Sequence, residues 1–417
     1  MTAWSSATTF TIPGTSATTT TTTTTQPPAT TTTTQAPLAT INTVDPGTRN
    51  RWLPSMAIGT DGNPVISFRD NWGQPVGGTQ TYTGSAVKVA ACANPTCSTA
   101  TISTVDGGAG GSGRQPIVIG NDGNPIMAYL YRPDPTSIQD AGLKVAACSN
   151  PTCTASTSYW IDPSPPWTGL GASIVIGNDG NPVIAYYGSG VGLKVAACTN
   201  TTCAHNFGGV NASIHTPDSA GKSHTSVVIT STHPTQHWPF VVYWRSTNEL
   251  GTATCWNPRC EARGSDGTSS WSSPWTGALD SVSANGTYSS VAVNTLGRPV
   301  ISYYDADNGD LKVIVCASVV CGGGTGTIST LDSGGDVGWY TSVAVRSNNL
   351  PVISYYDITN GKLKVAECTD VNCTNATIKT IGDADPAGTS IAIGNDGTPI
   401  VAYIDNHDLK VAVVPVG

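Results

Sequence analysis

Charge is scarce in this chain. Only 11% of its 417 residues are Asp, Glu, Lys or Arg, and the net charge is −8. A nucleic-acid surface or an anionic-membrane surface needs a basic patch, so neither partner is expected. No run of eighteen apolar residues occurs, so no segment is expected to cross a membrane as a helix. The N-terminal MTAWSSATT has neither a basic nor an apolar leader region, so no signal peptide is read there. No long stretch spaces its apolar residues as a helix would, which points to an all-β chain. Glutamate is nearly missing: Glu249, Glu261 and Glu367 are the only three. The G-x-S-x-G, H-E-x-x-H and phosphate-loop patterns are missing as well. A glycosidase needs two carboxylates in unlike settings, and none of the glutamates falls where such a pair would sit. The expectation is therefore a protein that is not an enzyme and carries no cofactor.

Cysteine, by contrast, is abundant and regular. The twelve cysteines form six C-x4-C pairs: Cys92/Cys97, Cys148/Cys153, Cys198/Cys203, Cys255/Cys260, Cys316/Cys321 and Cys368/Cys373. Zinc sites favour C-x2-C with a second pair or with histidines, and the six histidines do not accompany these cysteines. Local pairing with none left over fits disulfides formed in an oxidising compartment, so an extracellular or cell-surface location is expected.

From Ser55 onward the chain repeats with a period of roughly 45 to 60 residues. Seven units begin near Met56, Ile117, Ile174, Val227, Val291, Val343 and Ile391. Each opens on a short small-and-apolar strand and turns through a sequence such as GNDGNP, whose Asn, Asp and Gly tolerate positive φ. A second strand such as PVISYYD follows, apolar on both faces and so expected to be buried on both. A third strand, LKVAAC, should turn its lysine to solvent. Its cysteine and the next are expected to flank a four-residue turn and face one another across the hairpin into a Thr-rich fourth strand, where a disulfide would staple the outer edge. Four antiparallel strands repeated seven times predict a seven-bladed β-propeller. The last unit stops after its third strand, while LATINTVD (Leu38 to Asp45) reads like a fourth strand with no unit before it. The expected solution is closure of the last blade by this N-terminal strand. The pattern resembles secreted microbial propeller-repeat proteins, over residues 38–417.

Upstream lie two further stretches. Residues 17–37 hold Thr18, Thr19, Thr20, Thr21, Thr22, Thr23, Thr24 and Thr25, then Thr30, Thr31, Thr32, Thr33 and Thr34 after QPPA. Such a Thr/Pro tether cannot bury a core and suits O-linked sugars. Residues 1–16 contain a strand-like run, Ala7, Thr8, Thr9, Phe10, Thr11 and Ile12. An arm of this form resembles extracellular filament and pilus subunits that polymerise by donated strands. That resemblance implies self-association head to tail, as the structural subunit of an extracellular filament or surface assembly.

The alternative is a carbohydrate-binding propeller. Trp52, Trp167, Trp275 and Trp339 are each expected in loops between units, on one face with Asp70, Asp305, Asp357 and Asp405. Rings beside carboxylates could bind glycans there. Two weaker sites complete the reading. Asp305, Asp307 and Asp310 partly resemble a calcium loop, though a plain turn fits them better. His205, His215, His224, His233 and His237 gather in the third and fourth units, without the spacing of a metal site.

Overall fold

The computed structural model describes residues 39–46, 50–75, 82–107, 113–133, 141–163, 168–204, 211–233, 236–257, 260, 275–280, 287–321 and 326–415. Among the described residues there are twenty-eight β-strands and no helix. They form seven sheets of four antiparallel strands, each in simple up-and-down order. The protein is a seven-bladed β-propeller, as its repeats predict. The proposed arm and tether, including Ala7 to Ile12 and the threonine tract, lie outside the described residues.

The sixth blade shows the plan: Val337–Val345, Pro351–Asp357, Lys362–Cys368 and Ala376–Asp383, from axis to rim. The last blade is assembled from both ends. Thr389–Ile393, Pro399–Asp405 and Asp408–Val413 supply three strands, and Thr40–Asp45 pairs antiparallel with the third, Ile41 opposite Ala412. The N-terminal strand thus closes its own ring.

The turns follow their residue types. In the first blade the Gly59 amide donates to Asn63 O at 2.8 Å, and the Asp61 carboxylate accepts from the Asn63 amide at 3.0 Å. Gly62 completes that turn at φ 82°, and in the sixth blade Asn349 takes the same place at φ 66°. Asn is the side chain that best tolerates this left-handed backbone.

All six cysteine pairs are bonded: Cys92 to Cys97, Cys148 to Cys153, Cys198 to Cys203, Cys255 to Cys260, Cys316 to Cys321 and Cys368 to Cys373. Their Cα atoms lie 4.8 to 5.1 Å apart. The placement of the second cysteine corrects the expected hairpin. Cys97, Cys153, Cys203, Cys260, Cys321 and Cys373 do not stand on the fourth strand opposite their partners. Each sits inside the turn in the left-handed region, at φ between 48° and 57°. The reason is the turn's own hydrogen bond: each of these amides donates to the carbonyl three residues back, from Cys97 to Asn94 O at 2.9 Å to Cys321 on Ser318 O at 3.4 Å. That curl brings the two sulfurs together before the fourth strand begins, which in the first blade is at Ala100. Every bond therefore ties a third strand to the turn that leads into the fourth. The last blade has no cysteines and no such staple.

Cohesion around the ring comes from between the blades. Seven apolar clusters lie one at each junction. In the sixth blade, for example, Ile353 packs back on the fifth and Val352 forward on the seventh. This explains why the second strand carries apolar residues on both faces. Each fully buried large apolar side chain contributes about 1.5–3 kcal/mol.

Polar side chains complete the junctions, and here a second expectation is corrected. The third-strand lysine does not point to solvent. It turns into the junction, where it meets the aspartate that ends the previous blade's outer strand. A tyrosine from the second strand donates to the same carboxylate. Tyr129 bonds Asp106 at 2.7 Å with Lys144 at 3.2 Å, and Tyr355 bonds Asp332 at 2.6 Å with Lys364 at 3.1 Å. Tyr186 with Lys194 on Asp162 and Tyr303 with Lys312 on Asp280 repeat the arrangement. At Asp218 the partners are Tyr243 and Arg245. Both junctions of the closing blade depart from it: Gly382 stands where the aspartate would be, and Phe68 stands where the tyrosine would be. There Arg51 pairs with Asp45 at 2.8 Å instead.

Candidate functional site

The inner strands face a construction problem. Each has a sheet neighbour on one side only, so its other backbone edge needs partners. Serine supplies them. Ser55 accepts from the Ile117 amide, Ser226 from Val291, Ser290 from Val343, Ser342 from Ile391 and Ser390 from Met56, at 3.0 to 3.4 Å. Ser173 does the same for Val227 at 3.1 Å. Pro116 occupies this place in the second blade, the one departure around the ring.

Two residues upstream of each serine position the backbone bends. Leu53, Gly171, His224, Tyr288, Tyr340 and Gly388 all have φ between 53° and 105°, in the left-handed region. In the second blade Gly113 carries the bend at φ 126° and Arg114 follows it. Five of these six left-handed residues, all but Gly388, together with Arg114 line a cavity of about 340 Å³ at the start of the inner strands, on the face of the inter-blade loops. Trp52, Leu170, Ser223, Thr225 and Ser289 complete most of its wall. The seven equivalent positions therefore read Leu53, Arg114, Gly171, His224, Tyr288, Tyr340 and Gly388. Elsewhere the blades repeat; here the chemistry changes from blade to blade.

The wall is closely packed with rings on one side. The Tyr288 and Tyr340 rings lie 4.3 Å apart, and His224 meets Tyr288 edge-on at 5.1 Å. Behind them Trp339 sits 5.4 Å from Tyr288, its indole N–H held by Asp336 at 2.9 Å. The Tyr304 hydroxyl donates to the same carboxylate at 2.8 Å. The bases of neighbouring inner strands are joined by hydroxyls: Thr225 donates to Gly171 O at 2.6 Å, Ser289 to His224 O at 3.1 Å and Thr389 to Tyr340 O at 2.9 Å.

Electrostatics separate this cavity from the junctions. Its described wall contains no carboxylate. Burial, and then the nearby Arg114 charge, lower His224 to about 4, so its imidazole is neutral near pH 7. Burial raises both Tyr288 and Tyr340 above the ordinary phenol value. The site offers phenol and imidazole donors and acceptors, flat rings and one cation.

The residues named from sequence are dispersed. Trp52 lines the cavity. Trp339 stands behind it and stiffens it. Trp167 lies outside the described residues. Trp275 is not in a loop between blades: it opens the outer strand Trp275–Asp280 opposite Thr254, at the disulfide-turn end, because the third strand Leu250–Thr254 delivers the chain there. The aspartates expected beside the tryptophans are already engaged. Lys88 binds Asp70 at 2.7 Å, Lys364 binds Asp357 at 2.8 Å, and Lys410 binds Asp405. Asp305 accepts from the Asp307 amide at 3.1 Å and Asn308 Nδ2 at 3.0 Å, which is a turn. Asp310 is the residue paired opposite Asp305, at the start of the next strand. Among the described residues no three His, Cys, Asp or Glu side chains gather as a metal site would require. Of the histidines, His224 reaches the cavity, while His215 sits on an outer strand opposite Val195.

Sequence reasoning passed over Arg114, Tyr288 and Tyr340. Their signal was nonetheless present: each lies three residues before the aligned apolar residue that opens its unit.

No family model matches the chain, and no curated protein matches it in sequence. Solved structures do resemble it. A protein of unknown function from Dyadobacter fermentans aligns over 90% of this chain and 98% of its own, at 12% identity and TM-score 0.52. A mutant of NanB sialidase from Streptococcus pneumoniae aligns over 89% and 69%, at 11% identity and TM-score 0.47. A mutant of AofleA from Arthrobotrys oligospora aligns over 83% and 90%, at 10% identity and TM-score 0.48. At these identities the likeness is one of fold. It also corrects the expectation of a non-enzyme: the similar structures include an enzyme, the sialidase, so this architecture gives no ground for excluding catalysis.

Proposed function

We propose that this propeller binds carbohydrate in its axial cavity and works outside the cell. The observation that carries the reading is the broken repeat: equivalent positions of the blades converge on one cavity with unlike side chains, among them the rings of His224, Tyr288 and Tyr340. Sugars offer apolar C–H faces that stack on rings and hydroxyls that bond to polar tips. Trp52, Tyr288 and Tyr340 supply faces; Ser223, His224 and the phenols supply hydrogen-bond partners. At about 340 Å³ the cavity is near the small end of ligand pockets, about 300–1,000 Å³, which suits about one or two sugar rings at a chain end. The six disulfides agree with an oxidising, extracellular setting. The filament reading has no support among the described residues, since the arm lies outside them.

An array of immobilised oligosaccharides tests the proposal, followed by calorimetry on any hit. Binding should weaken at least about tenfold when Tyr288 or Tyr340 becomes Ala, because stacking and a hydrogen bond are lost together. Binding that survives Tyr288→Ala, Tyr340→Ala and Trp52→Ala would remove the cavity from the account.

A further inference from the structure

Arg114 is an unusual charge among the described residues. Other cations that leave solvent at the junctions meet a carboxylate: Lys88 has Asp70, Lys144 has Asp106, Lys194 has Asp162 and Lys312 has Asp280. Arg114 has no ion pair among the described residues. One of its terminal nitrogens, Nη2, is buried with no hydrogen-bond partner there. Tyr288 and Tyr340 line the same cavity. Arg114 is half-buried as a whole, and burial of its inner nitrogen pulls its pKa below the ordinary value. An unpaired buried charge is costly, and a chain of net charge −8 has carboxylates to spare for neutralising it. None stands in the described cavity wall.

We propose that the cavity is selective for acidic sugar, binding a carboxylate-bearing residue whose carboxylate takes the Arg114 guanidinium while its ring lies against the Tyr288 and Tyr340 side. A guanidinium presents a planar fork that matches a carboxylate edge to edge. Neutral His224, bonded on its Nδ1 side with Ser223 at 3.2 Å, adds a polar contact without placing a second positive charge beside Arg114. The selectivity rests on the carbohydrate reading above and sharpens it to acidic glycans.

The test uses the full disulfide-bonded chain and three matched probes: oligogalacturonides, their methyl esters, and a sulfated galactan oligosaccharide. The expected result is binding of the oligogalacturonide, at least about tenfold weaker binding of its methyl ester, and a similar loss in Arg114→Gln, since a charge-assisted bond is removed in each case. Arg114→Met supplies a readout that a structural role would not produce. It should unfold at the same or higher denaturant than the wild type, because the unpaired charge is gone, while losing the acidic probe. Equal binding of acid and ester, unchanged in Arg114→Gln, would overturn the acidic preference and leave carbohydrate binding standing. Preference for the sulfated probe over the carboxylated one would overturn the carboxylate assignment. Binding of no probe by wild type, with no array hit of any kind, would overturn this inference and the carbohydrate reading together.

Discussion

Replacing Tyr355 by Phe deletes one oxygen from the junction between the fifth and sixth blades and leaves the ring in place. Tyr355 is fully buried, so the apolar packing of that junction is conserved and no cavity opens. What is lost is the 2.6 Å bond from its hydroxyl to Asp332. Hydrogen bonds to charged groups contribute about 1.5–3 kcal/mol. Asp332 keeps the Gly334 amide at 3.0 Å and Lys364 at 3.1 Å, so its carboxylate is not stranded. The expected cost is therefore near the low end, about 1–2 kcal/mol. Chemical denaturation at pH 7 should show a lower midpoint with an unchanged slope.

The same variant makes a pH-dependent prediction. Burial pushes the Asp332 carboxyl up, but the Tyr355 hydroxyl, the Gly334 amide and Lys364 outweigh it and hold the group below its ordinary 3.8. A depressed carboxylate stabilises the fold above its unfolded value and loses that contribution as pH falls through the folded value. The gap between wild type and Tyr355→Phe should be full above about pH 4 and shrink below it. A midpoint unchanged at pH 7, or a gap that stays constant down to about pH 2, would refute the junction argument.

Two further outcomes follow from the inner ring. Ser290→Ala strands the Val343 amide, and an unsatisfied buried donor costs about 1–3 kcal/mol, measurable by denaturation and by faster exchange of that amide. His224 is neutral in the fold because its pKa is lowered to about 4, so the unfolded chain takes up its proton first. Stability should fall as pH drops from about 6.5 toward 4, by about 3 kcal/mol, and His224→Asn, suited to the left-handed backbone there, should flatten that part of the curve.

The sequence by itself determined the ring. Its seven units, its turn residues, its six local disulfides and the separation of Thr40–Asp45 from the blade it completes are all patterns in short stretches of chain, and local chemistry reads them. Only the tertiary structure decided where side chains from different blades meet. The third-strand lysines look outward in an isolated strand, yet they turn inward at the junctions where an aspartate ends the strand one blade away. Tryptophan drew attention as the largest ring, but Trp275 lies at the far end of its blade and Trp339 serves as backing. Arg114, His224, Tyr288 and Tyr340 are unremarkable in their own units and are separated by 52 to 110 residues. They form a site because a closed ring of seven brings the same strand position to one axis, where small differences between repeats become neighbours.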